Sequence, residues 1–177
     1  MSNDTINRCQ PGYNASCSLC CGSHNYTKPK NLIEEMFSKR AEDYIIGNAV
    51  YQEEAYYPKL FEEEMQCQNL GEMPGDPGLI GCLTYCDHDL KPDTKYFFDG
   101  TCKKFLCDAW HDLTDRQVLF AAELMEDWYY YSLLIKDIEL VYELCATYNS
   151  PSDVPTEELD LLKEDLLERF LEEGGNF

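Results

Sequence analysis

The sequence predicts a mainly α fold: a small helical bundle with a cysteine-rich, loop-dominated region at one end. Hydrophobic residues recur at helical spacing through the last third of the chain, whereas most of the ten cysteines fall in segments rich in Gly, Pro, Asn and Ser. The chain has 177 residues, of which 44% are hydrophobic and 13% aromatic, enough for a packed core. We therefore expect one domain over residues 1–177, in four parts: a cysteine-rich N-terminal loop over 1–30, helices over 31–66, a cysteine-rich loop block over 67–111 and C-terminal helices over 114–173.

The first helix is expected to begin at Asn31 and to run toward Tyr56. Asn31 can cap the backbone N–H groups of a first turn, and Glu34 follows three residues later, as in a capping box. Pro58 then predicts a second, shorter helix that ends near Gln66, because proline fits the first turn of a helix and not its interior.

The following block, residues 67–111, is expected to lack regular structure. Its segment GEMPGDPGLIG, residues 71–81, is dense in Gly and Pro, which interrupt both helices and strands.

The C-terminal part predicts two helices. The first begins at Thr114, where Gln117 completes a capping box, and is expected to continue to Tyr148. One helical stripe carries its core residues: Leu124, Trp128, Tyr131, Ile135, Ile138, Tyr142 and Cys145. The second helix is expected from Thr156 to Glu172. Cys145 lies on the core stripe, so we interpret it as a small buried hydrophobic residue outside any site.

Charge and cysteine content limit the classes of function. The chain carries 14 basic and 34 acidic residues, a formal net charge of −20, which would repel nucleic-acid backbones and anionic membranes. We therefore expect neither nucleic acid nor membrane as a partner. The first residues lack the basic start and apolar run of a secretion signal, which predicts a cytoplasmic protein. In a reducing compartment, many cysteines indicate metal binding more than disulfides.

The cysteine spacing predicts a metal site built from two segments. Cys17 and Cys20 form a C-x-x-C knuckle, in which two thiolates can meet one ion, and Cys21 must direct its sulfur elsewhere because adjacent cysteines pair only in a strained ring. A second group follows the first helices. The predicted metal ligands are Cys9, Cys17, Cys20, Cys21, Cys82, Cys86, Cys102 and Cys107.

These blocks resemble a known family. The segment CSLCC at 17–21 resembles the N-terminal C-x2-C-C signature of bacterial cysteine-cluster proteins of the YkgJ type, which are described as zinc- or iron-chelating domains. GCL at 81–83, KP at 91–92 and CKKFLC at 102–107 resemble that family's second half. The resemblance covers the cysteine blocks and not the C-terminal helices, and it implies metal chelation without implying a reaction.

Several alternatives stay open at this point. Four thiolates can hold zinc or an iron–sulfur cluster, and eight candidate ligands allow one centre or two. The metal is expected to be structural, with the acidic helices offering a surface to a protein partner. An iron–sulfur redox enzyme or electron carrier is one alternative, and an exported, disulfide-stapled binding protein is another. Cys67 and His24 are unassigned, and no catalytic residue can be named.

Overall fold

The structure is a computed structural model that describes residues 6–45, 58–84 and 99–172. Within these ranges the chain forms six α-helices and one two-stranded antiparallel sheet, so the mainly α fold class is confirmed. The elements in chain order are α1 (Lys30–Ile45), β1 (Leu70–Glu72), β2 (Ile80–Cys82), α2 (Asp108–Asp112), α3 (Asp115–Met125), α4 (Trp128–Leu134), α5 (Ile138–Thr147) and α6 (Thr156–Glu172). Single 3₁₀ turns lie at Leu19–Cys21, Cys102–Lys104 and Pro151–Asp153.

Helix α1 begins one residue before the predicted cap. The Pro29 carbonyl accepts hydrogen bonds from the amides of Leu32 and Ile33, so Asn31 lies inside the first turn. The predicted continuation toward Tyr56 lies outside the described residues. The buried side chains of α1 are Ile33, Met36, Phe37, Arg40 and Ala41, and the helix packs against β1.

The predicted helix from Pro58 to Gln66 is wrong, because these residues form turns. The side-chain amide of Asn25 donates to the carbonyls of Phe61 and Glu64, at 3.0 and 3.1 Å, and its oxygen accepts from the Phe61 amide at 2.8 Å. Backbone groups that a helix would pair internally are therefore bound to one side chain of the N-terminal loop.

The segment expected to be irregular contains the β-hairpin. Leu70 pairs with Cys82 and Glu72 with Ile80, while Gly75 and Gly78 take positive φ in the connecting turn. The Gly and Pro residues shape the turn, and the short hydrophobic runs on either side of it form the strands.

The single helix predicted from Thr114 to Tyr148 is three helices. The predicted capping box of Thr114 with Gln117 is confirmed, but α3 ends at Glu126, whose φ of 47° is left-handed. Asp127 and Asp137 then cap α4 and α5 with their carboxylates. Aspartate favours such caps over helix interiors, so the seven predicted stripe positions belong to three helices and do not form one stripe.

The last helix follows the prediction closely. It runs over Thr156–Glu172, buries Leu166 and Phe170, and rests on the larger of two hydrophobic clusters. That larger cluster is formed mainly by α3, α4, α5 and α6, with Tyr131 and Ile135 at its centre. The smaller cluster joins Trp128 to α1, the hairpin and Tyr26.

Candidate functional site

The N-terminal loop is fixed to the helices by Arg8. Its guanidinium donates to the Leu113 carbonyl at 2.9 Å and to Asp115 at 2.7 Å, and the Tyr131 hydroxyl donates to the Arg8 carbonyl at 2.8 Å. Arg8 also stacks over Trp110 with 5.1 Å to the ring centroid. Cys9, the next residue, is consequently held beside α2.

The same loop is joined to α4 through Ser132. Its hydroxyl lies 3.1 Å from the Ser16 carbonyl oxygen and accepts from the Ser18 amide at 3.4 Å. Within the loop, the Cys17 amide donates to the Cys9 carbonyl at 2.9 Å. These bonds place Cys9 and Cys17 side by side on the surface of the helices.

These contacts bring a first group of cysteine thiols close together. Cys107 caps the start of α2 and accepts the Trp110 amide through its carbonyl at 2.9 Å, so it lies close to the Arg8–Trp110 contact. The thiol of Cys17 lies within electrostatic range of Cys9, Cys20 and Cys107, and the thiol of Cys9 within range of Cys20 and Cys107. Two segments that are distant in sequence, residues 9–20 and the start of α2, thus bring four of the predicted ligands near one another.

Their environment makes ionisation of the free thiols costly. Burial, followed by the charges of Cys9 and Cys20, raises the pKa of Cys17 far above its usual range. Although Cys9 reaches the surface, desolvation by its neighbours raises its pKa to about 11, with the Cys20 and Cys107 thiols adding to the shift. A bound cation would lower the cost of ionising these thiols, because thiolates that repel one another all attract the ion.

A second group of cysteine thiols lies around Cys21, Cys67 and Cys82. The Cys67 amide donates to the Cys21 carbonyl at 2.8 Å, and the pairing of Leu70 with Cys82 brings Cys82 back to the same segment. The Cys21 thiol lies within electrostatic range of Cys67 and Cys82, and the Cys67 thiol within range of Cys82 and Cys102. Burial raises the pKa of Cys67 to about 11.

Cys20 and Cys21 connect the two groups of thiols. Their thiols share a hydrogen bond, which lowers the pKa of Cys20 and raises that of Cys21; the positive charge of Lys136 also favours the Cys20 thiolate. Gly22, at φ 79°, follows the turn, and a Cβ there would lie 1.7 Å from the Met65 carbonyl oxygen. This close backbone approach is what allows the Cys67 segment to reach Cys21.

Two buried hydroxyls flank Cys17. Ser16 and Ser18 are 0% and 3% exposed, and their Oγ atoms have no hydrogen-bond partner within the described part of the chain. Hydroxyl and amide donors beside metal-bound thiolates are a common feature of thiolate sites, because they spread the sulfur's negative charge. Both hydroxyls therefore suit a neighbouring thiolate.

Three further cysteines lie outside these groups in the sequence predictions or in the structure. Cys86 lies outside the described residues. Cys67, left unassigned, belongs to the second group of thiols because its amide is hydrogen-bonded to the Cys21 carbonyl, a contact that the cysteine spacing does not indicate. Cys145 is half-buried on α5 with Arg116 as its electrostatic neighbour, in line with its exclusion from the site.

His24 has a structural role. Its Nε2 lies 3.0 Å from the Tyr129 carbonyl oxygen and its Nδ1 2.9 Å from the Ser23 hydroxyl, so both ring nitrogens are hydrogen-bonded. Burial lowers its pKa to about 3. The ring packs on Tyr129 with 4.1 Å between centroids and joins the N-terminal loop to α4.

The thiols are near one another but not assembled into a formed ligand shell. Among the described residues, no three Cys, His, Asp or Glu side chains have the geometry to hold a metal ion, and none of the nine described cysteines is in a disulfide. No protein-family model, curated protein or solved structure matches this chain. The resemblance to the cysteine-cluster family stays a prediction. Within the described ranges no helix is long and apolar enough to cross a membrane.

Proposed function

We propose that the chain is a thiolate metal-binding protein that holds zinc or an iron–sulfur cluster between its N-terminal loop and residues 67–107. The observation that supports this most directly is the proximity of Cys9 and Cys17 to Cys107, across about ninety residues of sequence. Four cysteines are the usual ligand set both of structural zinc and of iron–sulfur clusters. When bound, the metal would tie two loops together that share little apolar surface.

The residues would act as follows. Cys9, Cys17, Cys20 and Cys107 would bind through their sulfurs after losing their protons. Arg8 and Ser132 hold the loop backbone in place from the helix side, at the distances given above. The ligand set predicted from the sequence also includes Cys21, Cys82, Cys86 and Cys102.

Elemental analysis of freshly purified, anaerobically handled protein tests the proposal. A colourless protein with bound zinc indicates a structural site, whereas a brown protein absorbing near about 400 nm indicates an iron–sulfur cluster and favours the redox alternative. Cys20→Ser and Cys107→Ser should lose metal alike, because each removes a thiolate from the same shell. Cys145→Ser is the matched control and should keep the wild-type metal content.

The same preparation also tests the alternative that the cysteines form disulfides. Thiol alkylation followed by mass measurement, on protein taken from its native cells without reductant, counts the free cysteines. Metal-bound cysteines become alkylated only after chelation, whereas disulfides need a reductant. Four or five disulfides would contradict metal binding and support an exported, stapled protein.

A groove lined by acidic residues favours the binding of a partner protein as a second function. It lies between α5 and α6 with a volume of about 340 Å³. The lining residues are Leu140, Glu143, Leu144, Thr147, Tyr148, Glu158, Leu161, Leu162 and Asp165. Among these described residues three are acidic and none basic, and Leu161 is 65% exposed. The complementary occupant is a cationic, amphipathic segment of a partner protein.

A labelled amphipathic peptide of lysine and leucine is the probe for this groove. Binding should weaken in Leu161→Ser and with rising salt, and should persist in Leu171→Ser, which changes an exposed leucine on the same helix outside the groove. Equal binding by both variants would show that the peptide associates elsewhere and would rule out this groove as its site.

A further inference from the structure

An exposed segment that combines positive charge with hydrophobic side chains lies just before α2. Residues 101–106 are all exposed, and within them Lys103 and Lys104 are followed directly by Phe105 and Leu106. The two hydrophobic side chains are 57% and 49% exposed, and neither packs on a hydrophobic cluster of the described chain. Large hydrophobic side chains that lie side by side in water, next to charged residues, are typical of a surface that binds a partner. We call residues 103–106 the KKFL segment.

The backbone holds this segment in a defined conformation. The Phe105 amide donates to the carbonyls of Thr101 and Cys102, at 3.1 and 3.2 Å, and the Lys104 amide donates to the Thr101 carbonyl at 3.2 Å. Phe105 itself is extended, with φ −76° and ψ 117°, and Cys107 caps the start of α2. Because the segment is ordered at both ends, docking it would cost little conformational entropy.

The groove between α5 and α6 has the complementary properties. Its acidic lining residues are Glu143, Glu158 and Asp165, none of its lining residues is basic, and the lining residue Leu161 is 65% exposed. Adjacent lysines would meet these carboxylates, while the two hydrophobic side chains that follow them would cover the leucines of the groove. The KKFL segment therefore has the cationic and amphipathic character that the groove requires of its occupant.

The segment and the groove of one chain do not cover each other. Phe105 and Leu106 on one side and Leu161 on the other are all exposed in the same molecule. We propose that the KKFL segment of one copy docks into the α5–α6 groove of a second copy. This inference rests on the proposed role of the groove in binding a partner protein, and it identifies that partner as the chain itself. Two copies that exchange both segments would close a dimer, whereas a one-way contact would continue head to tail.

The charge of the whole chain limits the strength of this association. Each copy carries a formal net charge of −20, which repels a second copy at a distance. At physiological salt this repulsion is largely screened beyond about 8 Å, so opposite charges in direct contact determine the local interaction. Lys103 forms only an exposed ion pair with Asp99, at 3.8 Å, and such a pair costs little to exchange for another.

Sedimentation of the full-length protein at physiological salt measures the association. A reductant is present throughout, because exposed cysteines could otherwise link copies by disulfides. We expect reversible association with a Kd on the order of 10–100 µM, since one short segment buries a small area. Phe105→Ser and Leu161→Ser should each weaken it by roughly tenfold or more. Leu32→Ser and Leu171→Ser, which change exposed leucines outside both surfaces, should associate like wild type.

A mixture of two variants tests the direction of the contact. Phe105→Ser keeps an intact groove and Leu161→Ser keeps an intact KKFL segment, so an equimolar mixture can still form one complete contact. The mixture should associate more strongly than either variant alone. Circular dichroism of each variant verifies that these exposed changes leave the helices intact.

Charge reversal tests the role of the lysines. The double variant Lys103→Glu/Lys104→Glu should associate more weakly than Lys28→Glu/Lys39→Glu, which changes the net charge by the same amount at exposed positions outside the segment. General repulsion between copies is raised equally in the two variants. Equal association by both would overturn the proposal.

The remaining outcomes separate this proposal from the one on which it rests. A monomeric wild type whose groove still binds the lysine–leucine peptide would overturn self-association and leave the proposed role of the groove intact. Absence of peptide binding would overturn that role and self-association through the groove with it. Association that persists in both Phe105→Ser and Leu161→Ser would show that copies meet through another surface and would likewise overturn the proposal.

Discussion

His24 shows how one buried side chain can join a loop to a helix. Its neutral ring is hydrogen-bonded at both nitrogens and surrounded by Trp128, Tyr129 and Phe170. A histidine in a cysteine-rich loop suggests a metal ligand, yet here the aromatic residues that pack around it decide its role. The charged form would lose its hydration, and the Tyr129 carbonyl and the charge of Asp127 offset only part of that cost.

The first prediction concerns the pH dependence of stability. The pKa of His24 is lowered to about 3 in the fold, below its usual value near about 6.5 when unfolded, so the unfolded state binds more protons between these values. The stabilisation present above pH of about 6.5 is therefore lost as pH falls, by up to about 1.4 kcal/mol per unit. Urea unfolding from pH 7 to 4 should show a shallower decline for His24→Gln than for wild type. The exposed His111→Gln should follow wild type, and an unchanged decline in His24→Gln would contradict the prediction.

The second prediction concerns the backbone contact at Gly22. Gly22→Ala places a Cβ 1.7 Å from the Met65 carbonyl oxygen at a positive φ, so the Met65–Cys67 segment must move. We expect a loss of roughly 3 kcal/mol or more in unfolding free energy, together with reduced metal content.

Gly75→Ala is the matched control for this change. Gly75 also has a positive φ, 92°, but nothing lies within 4 Å of the added Cβ, so it should cost only about 1–2 kcal/mol from backbone strain. Equal losses in the two variants would show that the Met65 contact contributes nothing.

At the scale of elements, capping residues determine where the helices end. Asp127 accepts hydrogen bonds from the amides of Tyr129 and Tyr130, at 2.7 and 2.9 Å, and forms an ion pair with Lys30 on α1. The break between α3 and α4 thus also attaches α1 to the C-terminal helices. Arg169 bonds to Asp137 at 2.7 Å and ties α6 to the next break in the same way.

The third prediction tests the packing of these helices. Ile135 is 1% exposed between α4 and α5, and Ile135→Ala should lower the unfolding free energy by about 2–4 kcal/mol through lost burial and a residual cavity. Leu161→Ala, at a 65% exposed position, should change it by less than about 0.5 kcal/mol. Chemical denaturation of both variants measures the difference. Metal content should be unchanged in Ile135→Ala, and a cost as small as that of Leu161→Ala would contradict a core role.

The type of a secondary-structure element could be predicted where it depends on residues that are close together in the sequence. The cap at Thr114 and the helix from Thr156 follow from residues within one turn of each other. The helix expected from Pro58 failed because Asn25, more than thirty residues away, binds its backbone. The hairpin was missed because Gly and Pro were interpreted as preventing regular structure, when they form only its turn.

At the scale of the whole molecule, the candidate site depends on contacts that spacing cannot show. The C-x-x-C-C spacing predicts that Cys21 directs its sulfur away from Cys20, but in the structure the two thiols share a hydrogen bond. Nothing local indicates that Cys67 lies beside Cys21, because that contact needs Gly22 and the Met65 carbonyl to meet. The loops are held to the helices chiefly by Arg8, Ser132, Asn25 and His24.

The fourth prediction concerns metal removal. If metal holds the loops together, chelation should increase the rate of tryptic cleavage after Arg8 and Lys103 by roughly tenfold or more, because loss of a bound ligand raises the population of open states. Sites within α6, such as Arg169, should be cleaved at a nearly unchanged rate. Gel electrophoresis and mass mapping over time provide the measurement. Identical cleavage at Arg8 before and after chelation would show that the loops are ordered without metal.

The two tryptophans of the chain report on different parts of the molecule. Trp128 is 1% exposed, and its indole donates to Glu34 at 2.9 Å, whereas Trp110 is half-buried beside the guanidinium of Arg8 and the thiol of Cys9. Intrinsic fluorescence therefore contains two separable signals. Iodide should quench Trp110 selectively, and metal binding at Cys9 should alter the emission of Trp110 while Trp128 continues to report the integrity of the core. In Trp110→Phe the remaining emission should respond to unfolding and not to metal, which gives an optical assay of loop docking without any added label.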